Sequence, residues 1–322
     1  MILESIITTR NYNTWPSWDL VYEWENMISN KLGLPFYYEK EVMNNRYLKR
    51  IPFLLQLFQT PQTAFRFDMV PNLHTLVNNR VNIIPCIVDF FLRGKQLKNF
   101  YRCYNKNKIV FVSSREVYDY LKSVNCPLNI QHLALSISDK YKIDATTRFE
   151  KKYDLVLMGR QNPVLRKFVD EYAAKHEDFR YVYRVQKDGA FNYYTSNGVC
   201  LGDINSREKY IKLMRSARVG LYSTPGIDGG EVRTNGFSQV TPRFLELIAC
   251  GCHVLARYRN NSDTKYYELE KFSPILSTYD EFEDAMDKRL RTEVCMKDYS
   301  EYLSKHYTSV RCQELKNYIM DL

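Results

Sequence analysis

A chain of 322 residues with a net charge of +9, 45% hydrophobic and 26% charged, is long enough for two cores of about 150 residues each and has the make-up of an ordinary globular protein, which excludes a disordered or fibrous one. No apolar run approaches the roughly 20 residues that span a bilayer, and Met1-Ile2-Leu3-Glu4 lacks the basic and apolar regions of a signal peptide, so a cytoplasmic protein is expected. The eight cysteines (Cys86, Cys103, Cys126, Cys200, Cys250, Cys252, Cys295, Cys312) form no Cys-x-x-Cys pair and mostly sit in apolar stretches, as buried free thiols do, which argues against zinc and against a disulfide framework.

Strand-like and helix-like stretches alternate along the chain, the pattern of parallel sheets covered by helices on both sides. In the first half the strands read as Ser5–Thr8, Ala64–Phe67, Val81–Val88, Lys108–Val112 and Ile130–Leu135, with helical periodicity at Trp18–Leu32, Leu97–Tyr104 and Arg115–Val124. Between Ser136 and Lys152 the apolar pattern lapses into Asp, Lys, Thr and Arg, which suits a linker and bounds a first domain at residues 1–145. Tyr153–Gly159 then reads as a buried strand ending in glycine, and Pro163–His176 as a helix with proline in its first turn. Further strands are expected at Phe179–Tyr183, Val219–Tyr222, His253–Ala256 and Pro274–Leu276, and helices at Arg207–Ser216, Pro242–Cys250 and Tyr279–Arg291, giving a second domain at 146–296. The tail, 297–322, puts Tyr302, Leu303, His306, Tyr307, Val310, Leu315, Tyr318 and Ile319 near helical spacing, so one or two helices should pack on something already built, the first domain being the candidate.

The positive charge suits an anionic partner: a nucleotide diphosphate, a phospholipid surface or nucleic acid. Its densest spots, Lys49-Arg50, Lys106 to Lys108 and Lys151-Lys152, form no stripe, so no nucleic-acid partner is expected. No Gly-x-Gly-x-x-Gly follows a strand and no Gly-x-x-x-x-Gly-Lys-Ser/Thr exists, which disfavours a dinucleotide-dependent dehydrogenase and a P-loop nucleotidase.

The most informative window runs from Gly226 to Ala256 and reads as strand, long loop, helix, tight turn, strand. Thr241 is placed to cap the helix, Pro242 needs no amide partner at its first position, and the glycine-rich loop ahead, with Asn235-Gly236, should present free N–H groups. A helix start of this kind attracts phosphate, and Gly251 supplies a left-handed stop. Arg243, Glu246, Ala249, Gly251 and Val254 follow the spacing Arg-x-x-Glu-x-x-Ala-x-Gly-x-x-Val. At these residues, and at Gly159-Arg160 after the first strand of the second half, the chain resembles the donor-binding lobe of the bacterial glycosyltransferase family 1 group. The resemblance implies a GT-B fold, two Rossmann-like parallel-sheet lobes facing a central cleft with C-terminal helices. It implies that Glu246 hydrogen-bonds the donor's ribose hydroxyls and that Arg160 and Arg243 hold its diphosphate. Many retaining members carry a second Glu eight positions before the ribose-binding one; here that position is Ser238, which leaves the stereochemical course open. No Asp-x-Asp is present, so neither a metal nor another cofactor is expected.

On the acceptor side, Asp89 follows the apolar run Ile83–Val88 at the carboxyl end of a strand, where open α/β sheets bind ligands, and is the carboxylate chosen as general base, with a helix cap or plain loop residue as the other reading. His74 and His132 lie beside apolar residues, where inert histidines are also common. The expected function is transfer of a sugar from a nucleotide-diphosphate donor to a glycan or lipid-linked acceptor in cell-surface polysaccharide synthesis, with peripheral contact at the inner face of the membrane. A sugar-nucleotide epimerase on the same scaffold, or a non-enzymatic basic binding module for nucleic acid or anionic membrane, are the alternatives.

Overall fold

The computed structural model describes residues 2–14, 17–38, 63–73, 83–187, 190–229 and 232–320. It divides into two units, 1–139 with 308–322, and 140–307. The division therefore runs through the C-terminal tail, between its two helices, and not ahead of it.

The first unit holds β1 (Ser5–Thr8), α1 (Trp18–Leu32), β2 (Phe36–Tyr38), β3 (Ala64–Asp68), β4 (Ile83–Ile87), α2 (Leu97–Tyr104), β5 (Val110–Val112), α3 (Arg115–Ser123) and β6 (Ile130–His132). The strands pair in parallel in the order β2-β1-β3-β4-β5-β6. β1, β3, β4 and β5 are buried along their whole length, which is why they read as unbroken apolar runs without alternation: a parallel sheet is covered on both faces. The helix α3 starts where the Ser114 hydroxyl accepts from the Val117 amide, and α1 stops where Gly33 turns left-handed at φ +68°. Trp24 of α1 is anchored by donating from Nε1 to the Ser136 carbonyl at 3.0 Å.

In the second unit, β7 (Tyr153–Val156), α4 (Pro163–Lys175), β8 (Tyr181–Lys187), β9 (Ala190–Thr195), β10 (Cys200–Asp203), α5 (Arg207–Arg215), β11 (Ala217–Ser223), α6 (Arg243–Ala249) and β12 (His253–Arg257) are followed by α7 (Ser262–Tyr266), α8 (Leu269–Phe272), α9 (Tyr279–Arg291) and α10 (Met296–Ser304). The sheet order is β10-β9-β8-β7-β11-β12. Strands β8, β7, β11 and β12 are parallel, whereas β9 and β10 are antiparallel additions at one edge. The expected parallel sheet is therefore present with an antiparallel edge that the sequence reading does not include: the chain from 184 to 203 doubles back twice before it reaches α5. The expected strand at Pro274–Leu276 is a single bridge from Ile275 to Ala256, carried by Leu276 N–H on the Ala256 carbonyl, because Ala256 N–H is taken by the Ser273 hydroxyl at 2.9 Å and the chain turns soon after into α9.

One face of this sheet packs Leu155, Leu157, Val219 and Leu221 against Leu165, Phe168, Val169 and Tyr172 of α4 and Phe282 and Met286 of α9. On the other, Phe244 of α6 meets Phe272 and Tyr302 edge-on at 5.6 and 6.2 Å. The last helix, α11 (Thr308–Met320), belongs to the first unit and packs on α1, its Tyr318 ring 5.5 Å from Phe111. Among the described residues no helix is long and apolar enough to cross a membrane. Of the cysteines, all of them free, Cys200 and Cys295 are exposed and Cys126 half-buried; the other five are buried.

Candidate functional site

In the second sheet the chain leaves β7 through α4 to reach β8 on one side, then returns through α5 to β11 on the other. The connections after β7 and β11 therefore part in opposite directions, which opens a crevice at the carboxyl ends of the strands. A cavity of about 200 Å³ lies there, lined among others by Arg160, Asn162, Ser223, Gly226, Thr241 and Arg243.

The first wall comes from the β7–α4 connection. Asn162 caps α4, its Oδ1 accepting from Val164 and Leu165 amides at 2.9 and 3.1 Å, and Pro163 occupies the first helical position. Arg160 is exposed at the cavity rim. Gly159 is left-handed at φ +64°, and the Arg243 guanidinium lies where its Cβ would be. Arg243 donates from Nη1 to the Met158 carbonyl, which also accepts from Gln161 Nε2 at 2.8 Å. The Arg243 Nε is buried without a hydrogen-bond partner. Two guanidinium groups from different elements thus face one cavity, and such groups fork anionic oxygens.

The second wall is the chain after β11. Thr224 and Ser238 share a buried hydroxyl contact at 2.6 Å. Gly226, at φ +81°, nests against Thr234 and the Phe237 carbonyl so closely that no Cβ fits. Asp228, itself at φ +53°, receives Arg257 Nε at 2.5 Å, Arg257 Nη2 at 2.9 Å and Asn162 Nδ2 at 2.8 Å. The Arg257 bond comes first in holding the Asp228 carboxyl below its ordinary pKa.

Several expected residues stand differently from their sequence reading. Thr241 does not cap α6: the helix begins at Arg243 with Pro242 before it and no side-chain cap. The amides at its mouth are not free either, since Val240 N–H donates to Asp263 at 2.5 Å and Thr241 N–H to the Tyr222 phenol at 2.9 Å. Asn235 and Gly236, at φ +53° and +84°, form an exposed turn after the short 3₁₀ segment Val232–Thr234 and do not line the cavity. Ser238 is fully buried. Gly251 ends the helix at φ +61°, as its spacing indicated.

Glu246 also lies off the cavity. It is 4% exposed and its Oε1 is 2.7 Å from Arg207 Nη1. The physical reason is that every residue of α6 from Phe244 to Ala249 is buried, so one turn in from the helix start a side chain is already beneath its neighbours. Tyr210 stands beside this pair and Tyr193 beside Tyr210 and Arg243: burial pushes Tyr210 up to about 12, against the pull of Arg243, and raises Tyr193, whose phenol meets the Gly159 backbone. Arg207, Tyr193, Tyr210, Asn162 and Asp228 were not read as site residues. Only Asn162 carried a local signal, an Asn directly before a helical proline.

In the first unit, Asp89 sits just past the carboxyl end of β4, half-buried, its amide donating to the Met69 carbonyl at 2.7 Å. His132 is held by the Ser113 carbonyl, 3.2 Å from Nε2, and burial lowers its pKa to about 4; it is a neutral, anchored ring. His74 lies outside the described residues. Among the described residues no group of three or more His, Cys, Asp or Glu side chains could hold a metal ion.

Residues 160–317 match the glycosyl transferase-like family. No curated protein matches the sequence. Among solved structures, the pneumococcal O-GlcNAc transferase GtfA, in complex with UDP and GlcNAc, is similar with a TM-score of 0.53 and 10% identity over 85% of this chain and 59% of its own. A Listeria monocytogenes structure described as a "putative UDP-N-acetylglucosamine 2-epimerase" has a TM-score of 0.53 and 10% identity over 91% of this chain and 85% of its own. WaaG, a glycosyltransferase involved in lipopolysaccharide biosynthesis, has a TM-score of 0.50 and 9% identity over 95% of each chain. The chain spans about three-fifths of the length of GtfA. At such identities the likeness is one of fold, and the fold is that of the GT-B proteins: two Rossmann-like α/β units.

Proposed function

From the match of residues 160–317 to the glycosyl transferase-like family and the resemblance to the bacterial glycosyltransferase family 1 group, we propose a glycosyltransferase that takes its sugar from a nucleotide-diphosphate donor and passes it to a glycan or lipid-linked acceptor. The observation that carries this reading is the convergence of Arg160 and Arg243 on the cavity at the β7–β11 switch point. Breaking a glycosidic bond to a diphosphate builds negative charge on the leaving group, and fixed cations beside it lower the barrier. With the mouth amides of 240 and 241 already bonded, the side chains supply that charge. Glu246 reaches a ribose only if Arg207 shares its carboxylate. Asp89 is the general base in this reading, and cell-surface polysaccharide synthesis, a cytoplasmic site of action, peripheral membrane contact and the lack of a metal requirement belong to the same proposal.

A second reading, sugar-nucleotide epimerisation, is favoured by the likeness to the Listeria monocytogenes structure. The two separate in one experiment: the protein is incubated with a panel of nucleotide sugars, with and without a glycan acceptor, and the products are resolved by mass spectrometry and NMR. Acceptor-dependent release of nucleoside diphosphate supports transfer. Isomerised sugar without acceptor supports epimerisation, and turnover of no donor under either condition refutes both.

A further inference from the structure

The donor reading rests on a cavity with two walls, and the bond that joins those walls comes from a side chain that does not line it. We infer that Asp228 is a positioning residue, setting the separation between the β7–α4 and β11–α6 connections on which donor binding depends; the inference rests on the proposal above. Its carboxylate takes Asn162 Nδ2 from the first wall at 2.8 Å and the Arg257 fork, Nε at 2.5 Å and Nη2 at 2.9 Å, from the end of β12. Asn162 cannot turn away, because its Oδ1 is committed to the α4 amides of Val164 and Leu165. Arg257 is fixed in turn by donating from Nη1 to the Leu276 carbonyl at 2.7 Å. One carboxylate therefore ties the connections that follow β7 and β11 to the end of β12, beside the cavity that Asn162 and Ile227 line. Asp228 holds a left-handed backbone, φ +53°, between Gly226 at φ +81° and Gly229 at φ +73°, a conformation that Asp, like Asn, takes more readily than other residues with a side chain. The base of its own loop is independently fixed by the Thr224–Ser238 contact and by the nesting of Gly226 under Thr234 and Phe237, so the bridge acts on how far that wall stands from the other.

The charges give the test its sign. Asp228→Asn removes a negative charge near an anion site, and Arg257→Gln removes a positive one; both weaken the bridge, since an Asn oxygen that still takes Asn162 Nδ2 and Arg257 Nε leaves Arg257 Nη2 against an amide NH2 in place of an oxygen, and Gln cannot supply the fork. If the two groups acted only through their charge, the first change would tighten and the second weaken binding of an anion. If they act by position, both weaken it. The full chain is titrated calorimetrically with uridine, guanosine, adenosine and cytidine diphosphates, and the one that binds wild type most tightly is used on both variants; amide exchange is followed without nucleotide. The expected result is a tenfold or greater weakening in both variants, with faster exchange confined to 223–229 and the first turn of α4. Opposite shifts, affinities within twofold of wild type, or faster exchange throughout the unit would overturn the assignment while leaving the donor site in place. Wild type binding none of the four would overturn the donor reading and this inference with it.

Discussion

Replacing Gly159 by alanine probes the contact on which the cationic wall is built. The residue is left-handed, φ +64°, and a side chain there costs about 1 kcal/mol in backbone strain alone. The added methyl also falls on the Arg243 guanidinium, which must leave the Met158 carbonyl; a hydrogen bond from a charged group contributes about 1.5–3 kcal/mol. Because Gln161 Nε2 still bonds that carbonyl at 2.8 Å, the oxygen is not orphaned and the lower end applies. Gly159→Ala should therefore destabilise the second unit by about 2–3 kcal/mol, a fall in Tm of roughly 4–12 °C for a unit of this size. The origin is separable by a double-mutant cycle in denaturant unfolding. In an Arg243→Ala background the methyl meets no guanidinium, so the same substitution should cost only about 1 kcal/mol, leaving a coupling of about 1–2 kcal/mol. Additive effects in the cycle would show that Arg243 does not rest on Gly159, and the geometry of the wall would be wrong.

Removing the α4 cap with Asn162→Ala should cost about 1 kcal/mol for the lost cap and, by freeing Asp228, weaken nucleoside diphosphate binding as well; a change in stability without a change in affinity would separate the helix from the site. His132 makes the first unit sensitive to acid: its folded pKa of about 4 lies below the ordinary value of about 6.5, so the unfolded chain takes up a proton that the folded one refuses. Stability should decline as pH falls from about 6.5 to 4, with a slope of up to about 1.4 kcal/mol per pH unit, and His132→Gln should remove that slope; an unchanged acid profile contradicts the anchored neutral ring. Exhaustive dialysis against EDTA should leave glycosyl transfer intact, whereas loss restored by magnesium or manganese would reject the metal-independent mechanism.

The frame of the fold was legible because long parallel strands and the helices between them leave strong periodic signals. Trp18–Leu32, Leu97–Tyr104 and Tyr279–Arg291 coincide with observed helices, each carrying an apolar stripe that has one way to be buried. The antiparallel strands β9 and β10 escaped because no element is read between Tyr183 and Arg207, although Asn197-Gly198 between two Tyr- and Val-bearing stretches is a hairpin signal. The site was legible only in part. Arg160, Thr241 and Arg243 do line the cavity, since a strand end and a helix start mark positions along the chain that topology brings together. Glu246 shows the limit of spacing: sequence places it one turn into a helix, and only packing reveals that this turn is covered and that Arg207, 39 positions away, neutralises it. Asp228 lies inside the window already singled out, but its partners Asn162 and Arg257 come from the start of α4 and the end of β12, and no local pattern announces such a tie.

The central claim, that the cavity at the β7–β11 switch point holds a nucleoside diphosphate, is tested most directly by calorimetric titration of wild type, Arg160→Ala and Arg243→Ala with uridine diphosphate and its purine and cytidine counterparts. At least one nucleotide should bind wild type and lose roughly ten- to a hundredfold in affinity in each variant, the loss of one charged hydrogen bond of about 1.5–3 kcal/mol. Binding that neither substitution weakens would place the diphosphate elsewhere and contradict the account.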